Sequence, residues 1–316
     1  MINEVRVFAP ASVANVAVGY DLLGFALEAP GDEIVARKTE GSGLSIARIT
    51  GDQGKLPLEV DRNTAGYAAS RLLAQLGREH EGVELEIHKK MPFGSGLGSS
   101  AASAAGAVVA INELFGSPLS RRECLRAAVE GEQIADGAFH ADNVAPSLLG
   151  GFTLIRSNKT LDVLSLPVPD RLCAAVIHPD VQVFTKDARG ILRDTVPMAT
   201  CIEQMGNLGA FVAAMYRDDY DLIRRSLQDV WIEPQRARLI PHFAQAKAAA
   251  LDQGALGCSI SGAGPSIFAL CDRLDTAQQC ADALQAVYNQ AGITNQVYVS
   301  PINTQGVIKL EKTVTP

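Results

Sequence analysis

The sequence lacks the features that mark membrane-bound, secreted or nucleic-acid-binding proteins. No apolar run is as long as a membrane span, and the N-terminal residues show no basic segment followed by an apolar one. Acidic residues outnumber basic ones by 35 to 28, and a net charge of -7 argues against a nucleic-acid surface. The six cysteines form no C-x-x-C pair and mostly lie among apolar residues. We therefore expect a cytoplasmic protein with reduced cysteines and with no membrane or nucleic-acid partner.

The length and composition are those of a globular protein of enzyme size. The chain has 316 residues, of which 47% are hydrophobic and 20% charged, so a substantial core and two domains of ordinary size are expected. A proline-rich polar break at Leu166-Pro167-Val168-Pro169-Asp170 is the predicted boundary. It divides the chain into residues 1–167 and 168–316. Whether the chain forms a homodimer is left open by the sequence.

A glycine-rich stretch at residues 92–102 is the most distinctive feature of the chain. It follows a segment of alternating polarity, residues 83–88, and leads into a run of small and apolar residues, 100–115. The alternation predicts a half-buried strand, and the run predicts a helix buried on every side. Three glycines in five positions allow backbone N–H groups to point inward, and a helix N-terminus adds donors and partial positive charge. The stretch therefore predicts an anion site for a polyphosphate, with the hydroxyls of Ser99 and Ser100 within reach of a phosphate or Mg²⁺.

Two common phosphate-binding motifs do not fit this stretch. A P-loop would end in Gly-Lys-Ser or Gly-Lys-Thr, and no lysine follows these glycines. A dinucleotide-binding motif needs G-x-G-x-x-G, whereas the spacing here is Gly94-x-Gly96-x-Gly98. The remaining alternative is a tight turn that only leads into a core helix, since Gly and Ser are common in turns.

The pattern Pro-x-x-x-Gly-Leu-Gly-Ser-Ser-Ala-Ala resembles the phosphate-binding motif of the GHMP small-molecule kinases. Residues 11–27 and 140–152 are similar to segments of the homoserine kinases within that superfamily, and the likeness extends from about Val7 to Ala269. The resemblance implies an α+β, two-domain fold, with an N-terminal domain like ribosomal protein S5 domain 2 and a ferredoxin-like C-terminal domain. It also implies that ATP contacts the residues of the motif, which are Pro92, Phe93, Gly94, Ser95, Gly96, Leu97, Gly98, Ser99, Ser100, Ala101 and Ala102.

An amino-acid substrate is the second implication of the resemblance. Asn15 and Asp21 are the only strongly polar side chains in the apolar stretch 11–27, and a buried carboxylate needs a cationic or donor partner. The matching family residues face the substrate, so Asp21 is expected to pair with an ammonium group. The substrate residues that the likeness implies are Asn15, Asp21, His140, Asn143, Arg189, Arg236 and Gly262.

Asn143, Asp142 and Thr185 are the residues expected next to the reacting hydroxyl. Asp142 matches the position at which mevalonate kinase has an aspartate proposed as a base. In the homoserine kinases the asparagine that matches Asn143 is thought to hold the substrate hydroxyl, with no obvious base. A loose, metaphosphate-like transition state makes little demand for prior deprotonation, so the second account is physically sufficient.

Two acidic residues are candidates for a magnesium ligand. A capping box at Ser120 predicts a helix that carries Glu130 and Glu132 near its end. The family pattern places a magnesium-binding glutamate here, and the spacing to residues 140–152 selects Glu132, with Ser100 as the second ligand. One carboxylate, one hydroxyl and ATP oxygens are sufficient for Mg²⁺, which prefers oxygen and keeps waters. Glu130 is expected at the surface.

Three further expectations concern residues around the predicted site. Lys89 and Lys90 are expected to be solvated charges that attract nucleotide only at long range. A second glycine turn at residues 257–270, between two apolar strands, resembles the third GHMP motif, whose loop packs against the first. Residues 34–50 are expected to form two paired strands with the turn at residues 41–43.

The function expected from the resemblance is ATP-dependent phosphorylation of the L-homoserine hydroxyl, an early step of threonine synthesis. ATP and Mg²⁺ are the expected cofactors. One alternative is a GHMP kinase for another small alcohol, such as mevalonate or a sugar, although two arginines and Asp21 favour a zwitterionic substrate. The other alternative is a catalytically silent regulator that binds a nucleotide or an amino acid.

Overall fold

The computed structural model describes residues 2–193 and 195–311, which fold around two β-sheets. The strands of the first sheet are β1 Glu4–Ala14, β2 Leu23–Lys38, β3 Leu44–Thr50, β4 Val83–His88, β5 Phe152–Ser157, β6 Asp162–Leu166 and β11 Ile308–Leu310. Those of the second sheet are β7 Cys173–Pro179, β8 Gly257–Ile260, β9 Ile267–Cys271 and β10 Asn295–Pro301. The α-helices are α1 Thr64–Leu76, α2 Ser99–Leu114, α3 Arg121–Asp136, α4 Val144–Leu149, α5 Thr185–Gly190, α6 Met198–Arg217, α7 Tyr220–Ser226, α8 Glu233–Arg236, α9 Phe243–Asp252 and α10 Leu274–Gln290.

The first sheet is organised around the long strand β2. Its order is β11-β1-β2-β4-β3, with β5 pairing the start of β2 and β6 pairing β5. The connection from β3 through α1 to β4 is a parallel crossover, and the other pairings are antiparallel. β11 returns to this sheet from the end of the chain and pairs with β1.

The prediction that residues 34–50 form two paired strands is wrong. β2 and β3 are not neighbours, because β4 lies between them and pairs with both. Most residues of β4 are buried, whereas most of β3 is exposed or half-buried. β4 therefore occupies the interior of the sheet, and β3 forms its edge.

Helix α2 fills the core of the first half of the molecule. It packs against α1, α3, β1 and β2, and 13 of its 16 residues are buried, as its small and apolar sequence predicts. The flanking helices have capped ends, and the capping box expected at Ser120 is present. Asn63 caps α1, which stops at Gly77 in the left-handed conformation, and Ser120 and Glu123 form the capping box of α3.

The second sheet has the topology of a ferredoxin-like domain. Its order is β10-β7-β9-β8, and the connections give a βαββαβ arrangement in which α10 follows β9. Alternate residues of β7 belong to different cores: Ala174 and Val176 pack toward the first sheet, while Ala175 and Ile177 pack with α9 and α10. The second sheet is thus covered on both faces.

We propose that the domain boundary lies between residues 167 and 168, in the segment that joins β6 to β7. β11 would then add to the N-terminal domain from the end of the chain. Residues 1, 194 and 312–316 of the two predicted domains lie outside the described residues. Within the part of the chain that the structure describes, none of the helices has the length and apolarity needed to cross a bilayer.

Candidate active site

The glycine loop at residues 92–98 connects β4 to α2 in a conformation that requires glycine. Gly94, Gly96 and Gly98 have φ angles of 59°, 77° and 64°, in the left-handed region that side chains disfavour. A Cβ atom at Gly96 would also lie 2.5 Å from the carbonyl oxygen of Ser261. The loop therefore turns tightly and ends at the N-terminus of α2, where the backbone N–H groups of the first helical turn are available to an anion.

The second glycine loop packs against the first, as predicted. It comprises residues 261–266 between β8 and β9. The hydroxyl of Ser261 donates to the carbonyl oxygen of Gly96 at 2.6 Å, and the N–H of Ser266 donates to the carbonyl oxygen of Ser95 at 3.1 Å. The shape of the anion site thus depends on both halves of the molecule.

Ser100 and Glu132 meet beside the first turn of α2. The hydroxyl of Ser100 donates to Oε1 of Glu132 at 2.7 Å, and the glutamate is almost fully buried. Glu130 instead accepts from Nε of Arg71 at 2.7 Å. A hydroxyl and a carboxylate oxygen are the hard donors that Mg²⁺ prefers. Among the residues described, no group of three or more His, Cys, Asp or Glu side chains could hold a metal ion.

Lys89 does not point into solvent, and the expectation that it does is wrong. Its ammonium group is buried and donates to Asp32, to the carbonyl oxygen of Ser99 at 2.8 Å and to Ser103 Oγ at 2.7 Å. Burial lowers the pKa of Lys89, and Asp32 and Glu132 oppose that shift. Lys90 is exposed, as expected, and pairs with Glu33.

The strand period is the signal that would have located Lys89. In β4 the residues Val83, Leu85 and Ile87 face the core, and a period of two places residue 89 on the same face. Asp32 stands two residues before buried Ile34 and shares its face in the same way. Its Oδ1 also accepts from the N–H of Lys90 at 2.8 Å, so this carboxylate ties β2 to the start of the glycine loop.

At the other end of the site, Asp21 lies between Arg189 and His140. Arg189 forms a two-pronged ion pair with it, with Nη1–Oδ2 and Nη2–Oδ1 distances of 3.1 Å each. His140 Nδ1 lies 3.1 Å from Oδ1 of Asp21. Burial alone would raise the pKa of Asp21, but the hydrogen bonds from His140 and Arg189 outweigh it and lower the pKa. The same contact with Asp21 raises the pKa of His140, against the effect of burial.

Asn15 and Arg236 join this cluster to the second glycine loop. Asn15 donates to the carbonyl oxygen of Gly262 at 2.8 Å and accepts from the N–H of Asp21 at 3.0 Å. Arg236 is buried and donates to the carbonyl oxygens of Gly262 at 3.1 Å and of Ala188 at 2.9 Å. Burial lowers the pKa of Arg236.

Asp142, Asn143 and Thr185 lie between the two ends. The Asp142 carboxyl is buried; burial, followed by the charge of Asp21, raises its pKa to about 7, although His140 and Arg189 oppose the shift. Asn143 Oδ1 accepts from the hydroxyl of Ser12 at 2.9 Å. Thr185, the first residue of α5, is exposed at the rim.

One cavity of about 370 Å³ joins these features. The predicted site residues that line it are Asn15, Asp21, Phe93, Gly94, Ser95, Gly96, Gly98, Ser99, Ser100, Glu132, His140, Asp142, Asn143, Thr185, Arg189, Arg236 and Gly262. Leu97, Ala101 and Ala102 are fully buried and Pro92 is half-buried, so these four shape the loop and its helix from behind. The wall also includes residues that the sequence did not assign to the site, among them Leu56, Pro57, Ile87, Lys89 and Ser103.

Comparison with known proteins identifies the family. Residues 63–151 match the N-terminal domain of the GHMP kinases, and residues 200–290 match the C-terminal domain. The chain is 44% identical over 317 residues to a homoserine kinase of Chlorobium phaeovibrioides, covering 96% of this chain and 99% of that protein. The chain belongs to the homoserine kinase family. The family and the two-domain fold expected from the sequence are therefore confirmed, and the chain is a kinase.

Other members of the family support the same assignment. A homoserine kinase of Xanthomonas campestris is 43% identical over 303 residues, covering 96% of this chain and 93% of that protein. The crystal structure of a homoserine kinase from Cytophaga hutchinsonii superposes with a TM-score of 0.95 at 49% identity, covering 98% of each chain. The match covers nearly the whole of both chains, so the chain has the complete fold of the family.

Proposed function

We propose that this member of the homoserine kinase family transfers the γ-phosphoryl group of ATP to the hydroxyl of L-homoserine and releases ADP and O-phospho-L-homoserine. The observation that carries the proposal is a cavity with two chemically different ends. One end is a glycine loop at a helix N-terminus, which suits phosphates. The other holds one carboxylate, Asp21, and two arginines, Arg189 and Arg236, which suit a molecule with an ammonium and a carboxylate group.

The charges of the substrate explain how it would enter the second end. Asp21 and Arg189 are bound to each other in this structure. A zwitterion offers an ammonium group to Asp21 and a carboxylate to the arginines, so binding exchanges one internal ion pair for two pairs with the substrate. Mevalonate lacks the ammonium group, and galactose lacks both charges. Either compound would leave at least one of these partly or fully buried charges without its partner, which is costly.

For the chemical step, positioning and charge stabilisation are sufficient. We propose that Asn143 holds the substrate hydroxyl, while Thr185 contributes a polar group near the transferred phosphoryl. A loose transition state carries its charge on the phosphoryl oxygens and makes little demand for a base. Asp142 has a pKa of about 7, a value that would suit a general base, so a comparison of variants at residues 142 and 143 distinguishes the two roles.

Mg²⁺ is the proposed metal, held by Ser100 and Glu132. Their 2.7 Å contact at the start of α2 supports the choice, because it places two hard oxygens together beside the loop. When bound, the ion would neutralise charge on the phosphates of ATP. The apolar side chains of Leu56, Pro57, Ile87 and Phe93, which line the same end of the cavity, provide a surface for the adenine ring.

We place the enzyme in the cytoplasm, in threonine biosynthesis, with no nucleic-acid or membrane partner. The six cysteines are unpaired, as a reducing compartment would maintain them. We also propose a homodimer as its solution state. An exposed apolar row along α6, formed by Met198, Ile202 and Met205, supports this proposal, and a mass measurement in solution tests it.

A coupled ADP-release assay tests the proposed function. L-Homoserine, mevalonate, galactose and shikimate are compared as acceptors at equal concentrations. We expect ADP release with L-homoserine far above that with the other three. Faster turnover of another alcohol would indicate a different kinase of the superfamily, and no turnover with any acceptor would indicate a silent binding protein.

A further inference from the structure

Tyr20 connects the two arginines of the acceptor site, although nothing in its sequence context singles it out. Its hydroxyl oxygen accepts from Arg189 Nη1 and from Arg236 Nη2, each at 3.2 Å. The guanidinium carbon of Arg236 lies 4.8 Å from the centre of the tyrosine ring. The side chain is half-buried and stands directly before Asp21 in the loop between β1 and β2.

The two arginines are like charges and need a group that holds them close together. Arg236 is buried, and both its burial and the positive charge of Arg189 lower its pKa. A hydroxyl oxygen with two lone pairs can accept from both at once and so fixes the distance between them. The two guanidinium groups are then aligned before any substrate arrives, which reduces the entropy lost on binding.

The proton of the same hydroxyl is not used by another group of the described chain. Both acceptor positions of the oxygen are taken by the arginines, so the remaining capacity is the O–H donor. Among residues 2–193 and 195–311, no hydrogen bond is donated by this hydroxyl. Burial and the nearby Asp21 raise the pKa of Tyr20, so the proton stays on the oxygen at neutral pH.

We infer that Tyr20 is a specificity-determining residue for the substrate carboxylate: its hydroxyl aligns Arg189 and Arg236 and donates its own proton to the carboxylate that they bind. This inference rests on the proposed function, because it assigns the two arginines to the carboxylate of an amino-acid substrate. A purely structural tyrosine would act through its ring alone. Phenylalanine keeps the ring and removes only the hydroxyl, so Tyr20→Phe separates the two roles.

The test compares Tyr20→Phe with the wild-type chain on L-homoserine and on L-homoserinol, in which a CH₂OH group replaces the carboxylate. Because hydrogen bonds to charged groups are stronger than neutral ones, we expect KM for L-homoserine to rise by about tenfold or more. KM for ATP should stay unchanged, and KM for L-homoserinol should change by less than about twofold, since that substrate lacks the charged acceptor. Tyr298→Phe is the matched control, because its hydroxyl bonds to Gln296 away from the cavity.

Two results would overturn the inference: an unchanged KM for L-homoserine, or an equal rise for both substrates, which would show that Tyr20 acts only through the shape of its loop. Thermal unfolding midpoints of the variants check that each one folds. Calorimetric binding of L-homoserine, measured in parallel, separates this inference from the proposed function. If the wild-type chain binds L-homoserine but does not phosphorylate it, the proposed function is refuted, and the role of Tyr20 is still tested by the affinity of the variants. If the wild-type chain does not bind L-homoserine, both the proposed function and this inference are refuted.

Discussion

Replacing Asp142 with asparagine should change the pH dependence of stability. The carboxyl has a pKa of about 7 in the folded protein against an ordinary value of 3.8. Because the folded-state pKa is the higher one, the native protein keeps a proton that the unfolded chain releases, and stability falls as pH rises from about 4 to about 7. At about 1.4 kcal/mol per unit, the whole shift corresponds to roughly 4 kcal/mol. Asparagine cannot ionise, so the variant lacks this loss.

Urea unfolding followed by circular dichroism at pH 5.5 and pH 8.5 measures the effect. About half of this loss of unfolding free energy occurs above pH 5.5. The unfolding free energy of the wild type, relative to that of Asp142→Asn, should therefore be about 2 kcal/mol lower at pH 8.5 than at pH 5.5. Asp170→Asn is the control, because Asp170 is exposed. If the difference between Asp142→Asn and the wild type were the same at both pH values, the Asp142 carboxyl would not be linked to folding, and the account of its burial would be refuted.

Three further predictions concern activity. Glu132→Ala should lower kcat far more than stability by removing a magnesium ligand, and an unchanged rate in that variant with an inactive Glu130→Ala would show that the wrong carboxylate was chosen. Arg189→Ala should raise KM for L-homoserine roughly ten- to hundredfold, since a charge-assisted contact is worth about 1.5–3 kcal/mol, and a loss of ATP affinity alone would assign the arginine to the nucleotide. Asn143→Ala should lower kcat at least as much as Asp142→Asn, whereas a loss of more than about 10³-fold in Asp142→Asn with normal substrate binding would make Asp142 the base.

Features that depend on neighbouring residues could be predicted from the sequence alone. The capped ends of α1 and α3 and the burial of α2 all follow from local patterns. So does the anion-binding character of the glycine loop, since three glycines before a helix limit the backbone to few arrangements. The roles of Asn15, His140 and the arginines came instead from resemblance to a family, because no local pattern distinguishes them from surface or structural polar residues.

What the sequence did not predict depends on contacts between distant parts of the chain. β3 lies at an edge because β4, some forty residues later in the chain, is placed between β2 and β3. A lysine pair is usually exposed, which favours solvent for Lys89, although the strand period places residue 89 on the buried face. Tyr20 and Arg189 are separated by 169 positions, and only the folded chain brings the hydroxyl between the two arginines.

The most direct test of the central claim is a ³¹P NMR spectrum of the reaction of ATP and L-homoserine with the purified protein and Mg²⁺. We expect a phosphate monoester resonance that couples to the γ-methylene protons of homoserine and grows in step with ADP. ADP with inorganic phosphate alone, or an unchanged ATP spectrum, would contradict the assignment of this site to phosphoryl transfer onto the homoserine hydroxyl.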